Sequence, residues 1–531
     1  MNIGFGNQGR FRQRGAGFGK WFRTVLIVVA LSSSLAACAT QDNSEDLAFN
    51  TMTREMFRAV FSDIQAIYLD VEDLSDLALD GLDALAAMDP AIAIVESDSE
   101  IKLESNGALV SQVAFAPEDD IESWAATAAS LTATMRTVSP QIRSKSQDEV
   151  YQRIFSTIAD RLDRYTRYSG PEDAQANREN REGFGGIGVT IEEHPDGVTI
   201  VTVDVDRPAA AAGLLVADRI VAVDGKPIGG QSLRRIIRIL RGPINATVTL
   251  TIMRDGLADP FDVTVGRTKI VPNTVVYERF GDTAIIRISG FNDRTGIRVA
   301  EAVARAKDDP EGLPKGLLLD LRGNPGGLLE RAVDVADLFL EDGLVSMTRG
   351  RHPRSLQRFE AQPGDIAQGL RIALLTNGAS ASAAEVLAAA LQDHGRAVIV
   401  GGSTFGKGTV QTVLPLPNEG EFVLTWARLL APSGYALHDL GIMPTICVLD
   451  DVSPEQLLHQ ILIEDPLTTL HNLSLRRRTG PNDDAGHKQV LATCPWEPSV
   501  NPKTIEKIAR YLVENPELYS KAIEIGLPPA S

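Results

Sequence analysis

Residues 371–411 read "RIALLTNGASASAAEVLAAALQDHGRAVIVGGSTFGKGTVQ", and this segment decides the fold. A short apolar run leads into a turn of small polar residues and then into an alanine-rich stretch of helical length. A second apolar run, "RAVIVGG", follows the helix. Strand, turn, helix and strand in this order predict an α/β core, whose functional site is expected in the loops at the carboxyl ends of the strands.

The end of this segment nearly matches G-x-x-x-x-G-K-[ST], the phosphate-binding loop of nucleotide hydrolases. Gly401, Gly406 and Lys407 fit the pattern, but Gly408 stands where a hydroxyl would bind Mg²⁺. A phosphate loop also leads into a helix, whereas "GTVQTVLPLP" is rich in β-branched residues and predicts another strand. The sequence therefore argues against nucleotide binding and leaves Lys407 for another role.

A serine before the helix and a lysine after the second strand supply the elements of covalent catalysis. Ser380 and Ser382 stand at the helix start, where the dipole and unpaired first-turn N–H groups stabilise developing negative charge. His394 stands near the far end of the same helix and therefore cannot be their base. A lysine can take that role if burial lowers its pKa, which makes Lys407 the candidate. From the residues alone, the serines can equally be helix caps and Lys407 can be solvated.

The motifs "NGASASAAE" and "STFGKGTVQ" together resemble the signature of the C-terminal processing peptidases, which are serine–lysine peptidases with an inserted PDZ domain. The segments "GFGGIGV", "GLLLDLRGNPGG" and "APSGYALHDLGIMPTI" extend the resemblance over about residues 160–450. It implies that Ser382 is the nucleophile and Lys407 the general base. It also implies that Gln411 orients the lysine, which is possible because alternate residues of a strand share one face.

The resemblance further implies where the oxyanion is bound. One donor is the backbone N–H of Ala383, and the second belongs to the "NPGG" turn, at Gly326 or Gly327. The sequence leaves the choice between these two glycines open. Asp393 matches a family position with a structural role. The chain departs from the family at residues 162–173, "LDRYTRYSGPED", where the family pattern is "LDPHSSY", so the bracing role of that region is not carried over.

Residues 181–268 predict a small β-rich domain whose order of elements resembles a PDZ domain. Within it, "FGGIGV" matches the glycine-rich loop that precedes the peptide-binding edge strand of that fold. Successive backbone N–H groups of such a loop hold a C-terminal carboxylate while the peptide adds to the sheet as a strand. The alternative is that the glycines only form a tight turn. The implied carboxylate-binding residues are Phe184, Gly185, Gly186, Ile187 and Gly188.

The first 37 residues are typical of a secretory signal. Their charged side chains are the basic residues Arg10, Arg12, Arg14, Lys20 and Arg23. The apolar run "TVLIVVALSSSLAA" that follows is too short to span a membrane and ends in small residues. "LAAC" resembles a bacterial lipoprotein box with lipid on Cys38; an ordinary signal with an incidental cysteine is the alternative. Residues 38–51 are thus expected to be a lipid-anchored tether on the periplasmic side of the envelope, preferentially at the outer membrane.

The charge of the chain and its cysteines indicate which partners and which covalent links to expect. Removal of the five basic residues of the signal leaves 47 Lys and Arg against 70 Asp and Glu, and such a negative surface argues against nucleic acid. Beyond Cys38 the cysteines are Cys447 and Cys494, which in an oxidising compartment favour one disulfide over two free thiols. No cluster of His and Cys suggests a metal site, and the predicted chemistry requires no cofactor.

The remaining sequence completes a multi-domain α/β prediction. Residues 52–170 predict a mostly helical cap, residues 270–450 a catalytic core of crotonase-like strand–turn–helix type, and residues 451–531 a partly helical extension. We predict an envelope serine endopeptidase that binds protein C-termini through its PDZ domain, with PDZ docking as a hypothetical gate. The alternatives are a PDZ scaffold that binds without cutting and a crotonase-like acyl enzyme. A second copy of the chain and an adaptor protein are further candidate partners.

Overall fold

The structure of the chain is a computed structural model that describes residues 45–97, 99–117, 119–480, 483–496 and 500–529. The predicted signal and Cys38 lie outside the described residues. The chain forms two compact units. Among the described residues, one unit comprises residues 45–62 and those within 73–158, and the other comprises Asp63–Glu72 and those within 159–529. No helix within the described ranges combines the length and the apolar character needed to cross a membrane.

The N-terminal region is built mainly from helices, as its periodicity predicts. They cover residues 45–67, Leu74–Ala86, Ile121–Val138, Pro140–Arg143 and Gln147–Leu162. In the first unit Phe57, Trp124 and Tyr151 are completely buried. The same unit contains a three-stranded antiparallel sheet that the sequence analysis does not predict, formed by Ile92–Glu96, Glu100–Ser105 and Ala108–Ala114. Only its middle strand alternates buried and more exposed residues, so the periodicity that reveals a strand is weak.

The PDZ-like region forms a six-stranded antiparallel main sheet, a separate two-stranded sheet of Phe184–Gly186 with Thr268–Ile270, and two short helices. Its strands are Phe184–Gly186, Val189–His194, Gly197–Val203, Arg219–Val223, Lys226–Pro227, Thr247–Met253, Phe261–Gly266 and Thr268–Ile270. Its helices are Pro208–Ala211 and Leu233–Leu240. Alternate residues of the strand Thr247–Met253, namely Val248, Leu250 and Ile252, fill a core that includes Ile236 of the longer helix. The strand Val189–His194 lies at one edge of the main sheet, where an added strand can pair with it.

A second, mostly parallel sheet forms the core. Its strands follow the order Val275–Phe280, Thr283–Ile288, Gly316–Asp320, Arg371–Thr376, Ala397–Gly401 and Ile446–Cys447, with an antiparallel first pair. Helices Thr295–Lys307, Leu329–Asp337 and Ala383–Asp393 pack on one face, and Pro454–His459, Pro502–Glu514 and Pro516–Gly526 on the other. Consecutive residues Leu317 and Leu318 point to opposite faces and are both fully buried, which explains the continuous apolar runs. The predicted multi-domain α/β fold class is confirmed.

A smaller sheet carries the strand that follows the lysine loop. It consists of Gln357–Glu360, Leu344–Arg349, Glu421–Leu430 and Thr409–Pro415 in this order, with Arg167–Ser169 also paired to the third of these strands. The other helical segments of the second unit are Pro171–Glu182, the 3₁₀ turn Pro353–Ser355, the π-helical turn Gln460–Glu464, Pro466–Arg478 and Asp484–Thr493. Lys407 therefore lies in a loop that passes from the core sheet to this smaller sheet.

The C-terminal extension packs against loops that follow two core strands. A disulfide joins Cys447 to Cys494, which are 47 residues apart in sequence. The Ser403 hydroxyl donates to the Cys494 carbonyl at 2.7 Å, and the Gly378 N–H donates to the Trp496 carbonyl at 2.9 Å. Both loops lead to residues for which the sequence predicts a catalytic role, so the extension supports the walls of the candidate site.

Candidate active site

Ser382 occupies the turn between a core strand and the helix Ala383–Asp393. Its backbone has φ 58° and ψ −116°, a conformation that costs a residue other than glycine about 1–3 kcal/mol. Ser382 lines a cavity of about 410 Å³. Ser380 is instead fully buried, and its hydroxyl donates to the Leu321 carbonyl at 2.8 Å. Of the two serines, Ser382 is therefore the one that a substrate in this cavity can reach.

Lys407 lines the same cavity from the neighbouring loop. Burial lowers the pKa of its amine, and the positive charge of Arg167 lowers it further, against smaller opposing effects of Glu385 and Asp163. The amine lies 5.2 Å from the centre of the Tyr165 ring. A lysine in these surroundings loses its proton more easily than a solvated lysine does, and it can therefore act as a general base.

Glu385 connects the serine turn to the lysine loop. Its completely buried carboxylate accepts hydrogen bonds from the backbone N–H groups of Ser382 at 2.6 Å, Gly406 at 2.7 Å and Lys407 at 2.9 Å. The Thr404 hydroxyl donates to it at 2.5 Å. Burial raises the pKa of Glu385, and the four donors oppose that rise. From the sequence, Glu385 is predicted only to complement the helix dipole as a first-turn acid, although the S-x-x-E spacing at the helix start also matches a capping box.

The "NPGG" turn lies directly against the serine. Gly326 has φ 104°, and a Cβ atom at this position would lie 2.9 Å from the Cβ of Ser382. The Gly326 N–H donates to the Asn324 side chain at 2.8 Å, whereas Gly327 lines the cavity. Asn324, which sequence reasoning missed, also donates through its amide to the Ile288 carbonyl at 2.8 Å. Its buried side chain thus holds the turn in place.

Ala383 and Gln411 complete the predicted site residues of the core. Ala383 is the first residue of the helix and is buried beside the "NPGG" turn. Gln411 lines the cavity, but its amide donates to the hydroxyls of Thr409 at 2.8 Å and Thr425 at 3.2 Å. The strand begins only at Thr409, and its register shifts just before Gln411, so the alternation expected from Lys407 onward is interrupted.

The cavity has an apolar wall and a polar wall. The apolar wall consists of Phe291, Leu328, Leu329, Val410, Val413, Val423 and Leu429. On the polar side, Arg181 forms an ion pair of 2.8 Å with the buried carboxylate of Glu421, which also pairs with Arg178. Arg167 lines the cavity as well. A cavity of this composition can hold an extended peptide with apolar side chains.

Two carboxylates close to the site support its loops. Asp320 forms an ion pair of 2.7 Å with Arg322 within the turn that follows a core strand. Asp393, at the end of the helix Ala383–Asp393, accepts hydrogen bonds from the Ser433 N–H at 3.0 Å and the Ser433 hydroxyl at 2.6 Å. Neither carboxylate lines the cavity, so both contribute to the structure around it.

A groove of about 840 Å³ runs along the edge strand of the PDZ-like domain. Four predicted loop residues line it: Phe184, Gly186, Ile187 and Gly188. Gly185 packs against Gly242 instead, and its carbonyl accepts a hydrogen bond of 3.0 Å from the Gly242 N–H. Gly188 has φ 84°, and Ile237 and Leu240 of the helix add apolar lining. The groove thus combines a glycine loop, an edge strand and an apolar pocket.

Two family models match the chain. The model of peptidase family S41 matches residues 282–448, and that of the PDZ domain matches residues 185–265. The carboxy-terminal-processing protease of Bartonella bacilliformis is 40% identical over 300 residues, which are 56% of this chain and 68% of that protein. A probable CtpA-like serine protease of Staphylococcus aureus is 33% identical over 310 residues, which are 58% of this chain and 61% of that protein.

A similar solved structure is that of the photosystem II D1 C-terminal processing protease. It is 26% identical, covers 69% of this chain and 92% of its own, and has a TM-score of 0.35. The match to the peptidase family contains every catalytic and oxyanion candidate of the core, and the PDZ match contains four of the five glycine-loop residues. The N-terminal cap and the C-terminal extension lie outside both family matches.

Proposed function

The chain belongs to peptidase family S41, and from this premise we propose that it is an exported serine endopeptidase that acts on protein C-termini. The PDZ domain binds the end of a substrate chain, and Ser382 and Lys407 hydrolyse a peptide bond in the core. One observation carries the proposal. Both side chains line one cavity, while the Glu385 carboxylate binds the backbone N–H groups of both residues.

In the proposed reaction, the neutral Lys407 amine removes the hydroxyl proton of Ser382 as its Oγ attacks the scissile carbonyl carbon. The backbone N–H groups of Ala383 and Gly327 bind the oxyanion, since the Gly326 N–H already donates within its own turn. The protonated Lys407 then donates to the leaving amine. Water attacks the acyl-enzyme with Lys407 again as base, which releases the second product and restores the serine.

Two further residues hold the dyad in position in this proposal. Glu385 fixes the distance between the serine turn and the lysine loop through its backbone hydrogen bonds. Gln411 acts on the lysine indirectly, because its amide binds the hydroxyls of Thr409 and Thr425 on the two strands beside the cavity. Both are positioning residues rather than proton carriers.

The PDZ groove is proposed to select the substrate. Backbone N–H groups of the loop formed by Gly186, Ile187 and Gly188 bind the terminal carboxylate, and the peptide pairs with the edge strand Val189–His194. Ile237 and Leu240 favour an apolar last side chain. No metal or nucleotide takes part in either step.

An envelope location is part of the proposal. It rests on the signal-like first 37 residues and on Cys38 as the site of lipid attachment. The disulfide between Cys447 and Cys494 supports an oxidising compartment, since such bonds persist outside the cytosol. Labelling of cells with radioactive palmitate, compared between the wild type and Cys38→Ala, tests the anchor; equal labelling of both would contradict it.

Ser382→Ala and Lys407→Arg test the dyad. Both variants are expected to lower hydrolysis of a fluorogenic peptide with an apolar C-terminus to background, because alanine has no nucleophile and arginine keeps its proton. Unchanged circular dichroism and unchanged peptide binding are the controls for folding. Near wild-type hydrolysis by Lys407→Arg would show that Lys407 is not the general base. A wild-type protein that binds the peptide but never cuts it would be a scaffold instead.

A C-terminal amide tests the PDZ groove. The Ser382→Ala protein is expected to bind the amidated peptide about tenfold or more weakly than the same peptide with a free carboxylate, because charge-assisted hydrogen bonds are lost. Isothermal titration calorimetry measures the difference. Equal affinity for the two peptides would show that the glycine loop is only a structural turn.

A further inference from the structure

A groove rich in arginine lies on the smaller sheet, outside the catalytic cavity and the PDZ groove. It has a volume of about 720 Å³. Five arginines line it and define what we call the arginine groove: Arg349, Arg351, Arg428, Arg477 and Arg478. The acidic residue in its lining is Asp70. This concentration of positive charge contrasts with a chain whose formal net charge is −18.

Among the described residues, four of these five arginines form no ion pair with a carboxylate. Arg477 pairs with Asp393 at 3.4 Å. Arg351 donates to backbone carbonyls, including that of Tyr68 at 3.0 Å, which hold the guanidinium without neutralising it. Within the described residues, the side chains of Arg349 and Arg428 form neither an ion pair nor a hydrogen bond, and Arg478 donates only to a backbone carbonyl of its own helix. The groove therefore holds a strong field that attracts anions.

Without a bound anion, the pairing of strands places two arginines of the groove in a destabilising position. Arg349 and Arg428 are direct partners in the antiparallel pair of Leu344–Arg349 with Glu421–Leu430. Directly opposite residues point to the same face, and like charges there destabilise a sheet. At the other end of the second strand, by contrast, the buried Glu421 carboxylate forms ion pairs with Arg178 and Arg181. An anion that binds at Arg349 and Arg428 removes their repulsion.

The arginine groove is close to the reacting groups. Arg428 is also the direct partner of Thr409, which lines the catalytic cavity two residues after Lys407. Thr409, Arg428 and Arg349 therefore form one row across three strands. Neighbouring strands are about 4.8 Å apart, so the row spans about 10 Å. An extended peptide needs at least about three residues for that distance, at about 3.3 Å per residue.

We propose that the arginine groove binds an acidic segment of the substrate polypeptide, about three or more residues from the bond that is cut. Glu and Asp side chains suit this site because guanidinium groups bind carboxylates with two parallel hydrogen bonds. The site makes the enzyme selective for substrates that carry carboxylates at that distance. The link to cleavage rests on the proposed function, whereas binding of the acidic segment does not require turnover.

Binding to the full-length Ser382→Ala protein tests the site. The probes are two fluorescein-labelled peptides of equal length and apolar C-terminus, one with four consecutive Glu residues upstream and one with four Gln residues. The Glu peptide is expected to bind at least about tenfold more tightly by fluorescence anisotropy. Combined Arg349→Gln and Arg428→Gln substitutions are expected to abolish that preference. Arg358→Gln is the matched control, because Arg358 lies on the neighbouring strand and pairs with Glu360.

Thermal unfolding separates a binding role from a structural one. Without ligand, the double variant is expected to unfold at the same temperature as the parent or at a higher one, because two repelling charges are gone. A lower unfolding temperature would mean that the arginines stabilise the sheet and would overturn the proposal. Equal binding of the Glu and Gln peptides would overturn it too. The proposal would also be overturned if the parent protein bound phosphatidylglycerol vesicles, the double variant did not, and the parent showed no preference for the Glu peptide.

The second measurement is cleavage by proteins that retain Ser382. The ratio of kcat/KM for the Glu substrate to that for the Gln substrate is expected to fall about tenfold in the double variant and to stay constant in Arg358→Gln. A constant ratio in the double variant would overturn selection by the groove. If the wild type cuts neither peptide but still prefers to bind the Glu peptide, the proposed function fails while the binding site stands.

Discussion

The turn at Ser382 and the C-terminal helices on the far face of the core sheet are stabilised in different ways. At the turn, Ser382 has a positive φ, burial lowers the pKa of Lys407, and the Glu385 carboxylate is completely buried. On the far face, side chains such as Ile508 and Leu512 are fully buried in an apolar cluster. The features of the turn cost stability and serve chemistry, whereas the helices contribute stability and lie away from the cavity. Substitutions at the turn should therefore lower activity without lowering stability, and substitutions in the helices should lower stability without lowering activity.

The largest expected effect is that of Lys407→Met. Loss of the proposed general base should lower kcat/KM by about 10²–10⁴-fold, while the free energy of unfolding at neutral pH should rise because a buried amine is replaced by an apolar side chain of similar length. Peptide hydrolysis and urea denaturation measure the two quantities. A variant that loses both activity and stability would contradict the contrast between the regions.

The pH dependence of the wild type tests whether the pKa of Lys407 is lowered in the folded chain. The pKa of Lys407 in the folded chain lies below its ordinary value of 10.5, so between the two values the unfolded chain binds more protons. Stability from this group therefore rises with pH in that interval and is absent below the folded-state pKa. Because the base must be neutral, kcat/KM should rise with pH through the folded-state pKa. An acidic limb at the ordinary lysine value would show a solvated amine.

Ile508→Ala probes the opposite region. The substitution leaves a cavity in the apolar cluster and should lower the free energy of unfolding by about 2–5 kcal/mol. At a temperature where the variant is still folded, kcat should remain at the wild-type value. Leu467→Ala is the control, because this leucine of a nearby helix is 74% exposed and its loss should change stability by less than about 0.5 kcal/mol. A large loss of kcat in Ile508→Ala would show that the helices take part in catalysis.

The disulfide lies between the two regions. Cys447→Ser with Cys494→Ser should lower the free energy of unfolding by about 2–4 kcal/mol. Because the segment that contains Cys494 and Trp496 binds the loops at Ser403 and Gly378, kcat should also fall by a few-fold. Dithiothreitol should reproduce both effects in the wild type and change neither in the double variant. If full reduction of the wild type changed neither the free energy of unfolding nor kcat, the disulfide would not stabilise the site.

The smallest expected effect isolates the backbone of the nucleophile. Ser382→Gly and Ser382→Ala should both be inactive, but the glycine variant should be more stable than the alanine variant by about 1 kcal/mol, because glycine adopts φ 58° without steric cost. Thermal unfolding of the two proteins gives the difference. Equal stability would mean that the turn imposes no cost on the serine.

Local patterns in the sequence predicted the elements that carry the site but missed several contacts between them. The helix after Ser382 and the strand before Lys407 follow from apolar periodicity and small residues. The sheet of residues 92–114 was missed because its outer strands are exposed and give little alternation. Gln411 was expected beside Lys407, yet the register shift in its strand directs its amide to two threonines.

By itself, the sequence determined the family, the alternation of strands and helices in the core, the serine and lysine motifs and the glycine loop of the PDZ domain, because each is encoded within a few neighbouring residues. Only the tertiary structure decided that Glu385 joins the serine turn to the lysine loop, that Asn324 holds the "NPGG" turn, and that Arg349 and Arg428 are direct partners on neighbouring strands. The partners in these contacts come from different elements. Their distances and charges are set by the pairing of strands and the packing of helices, which a linear pattern does not contain.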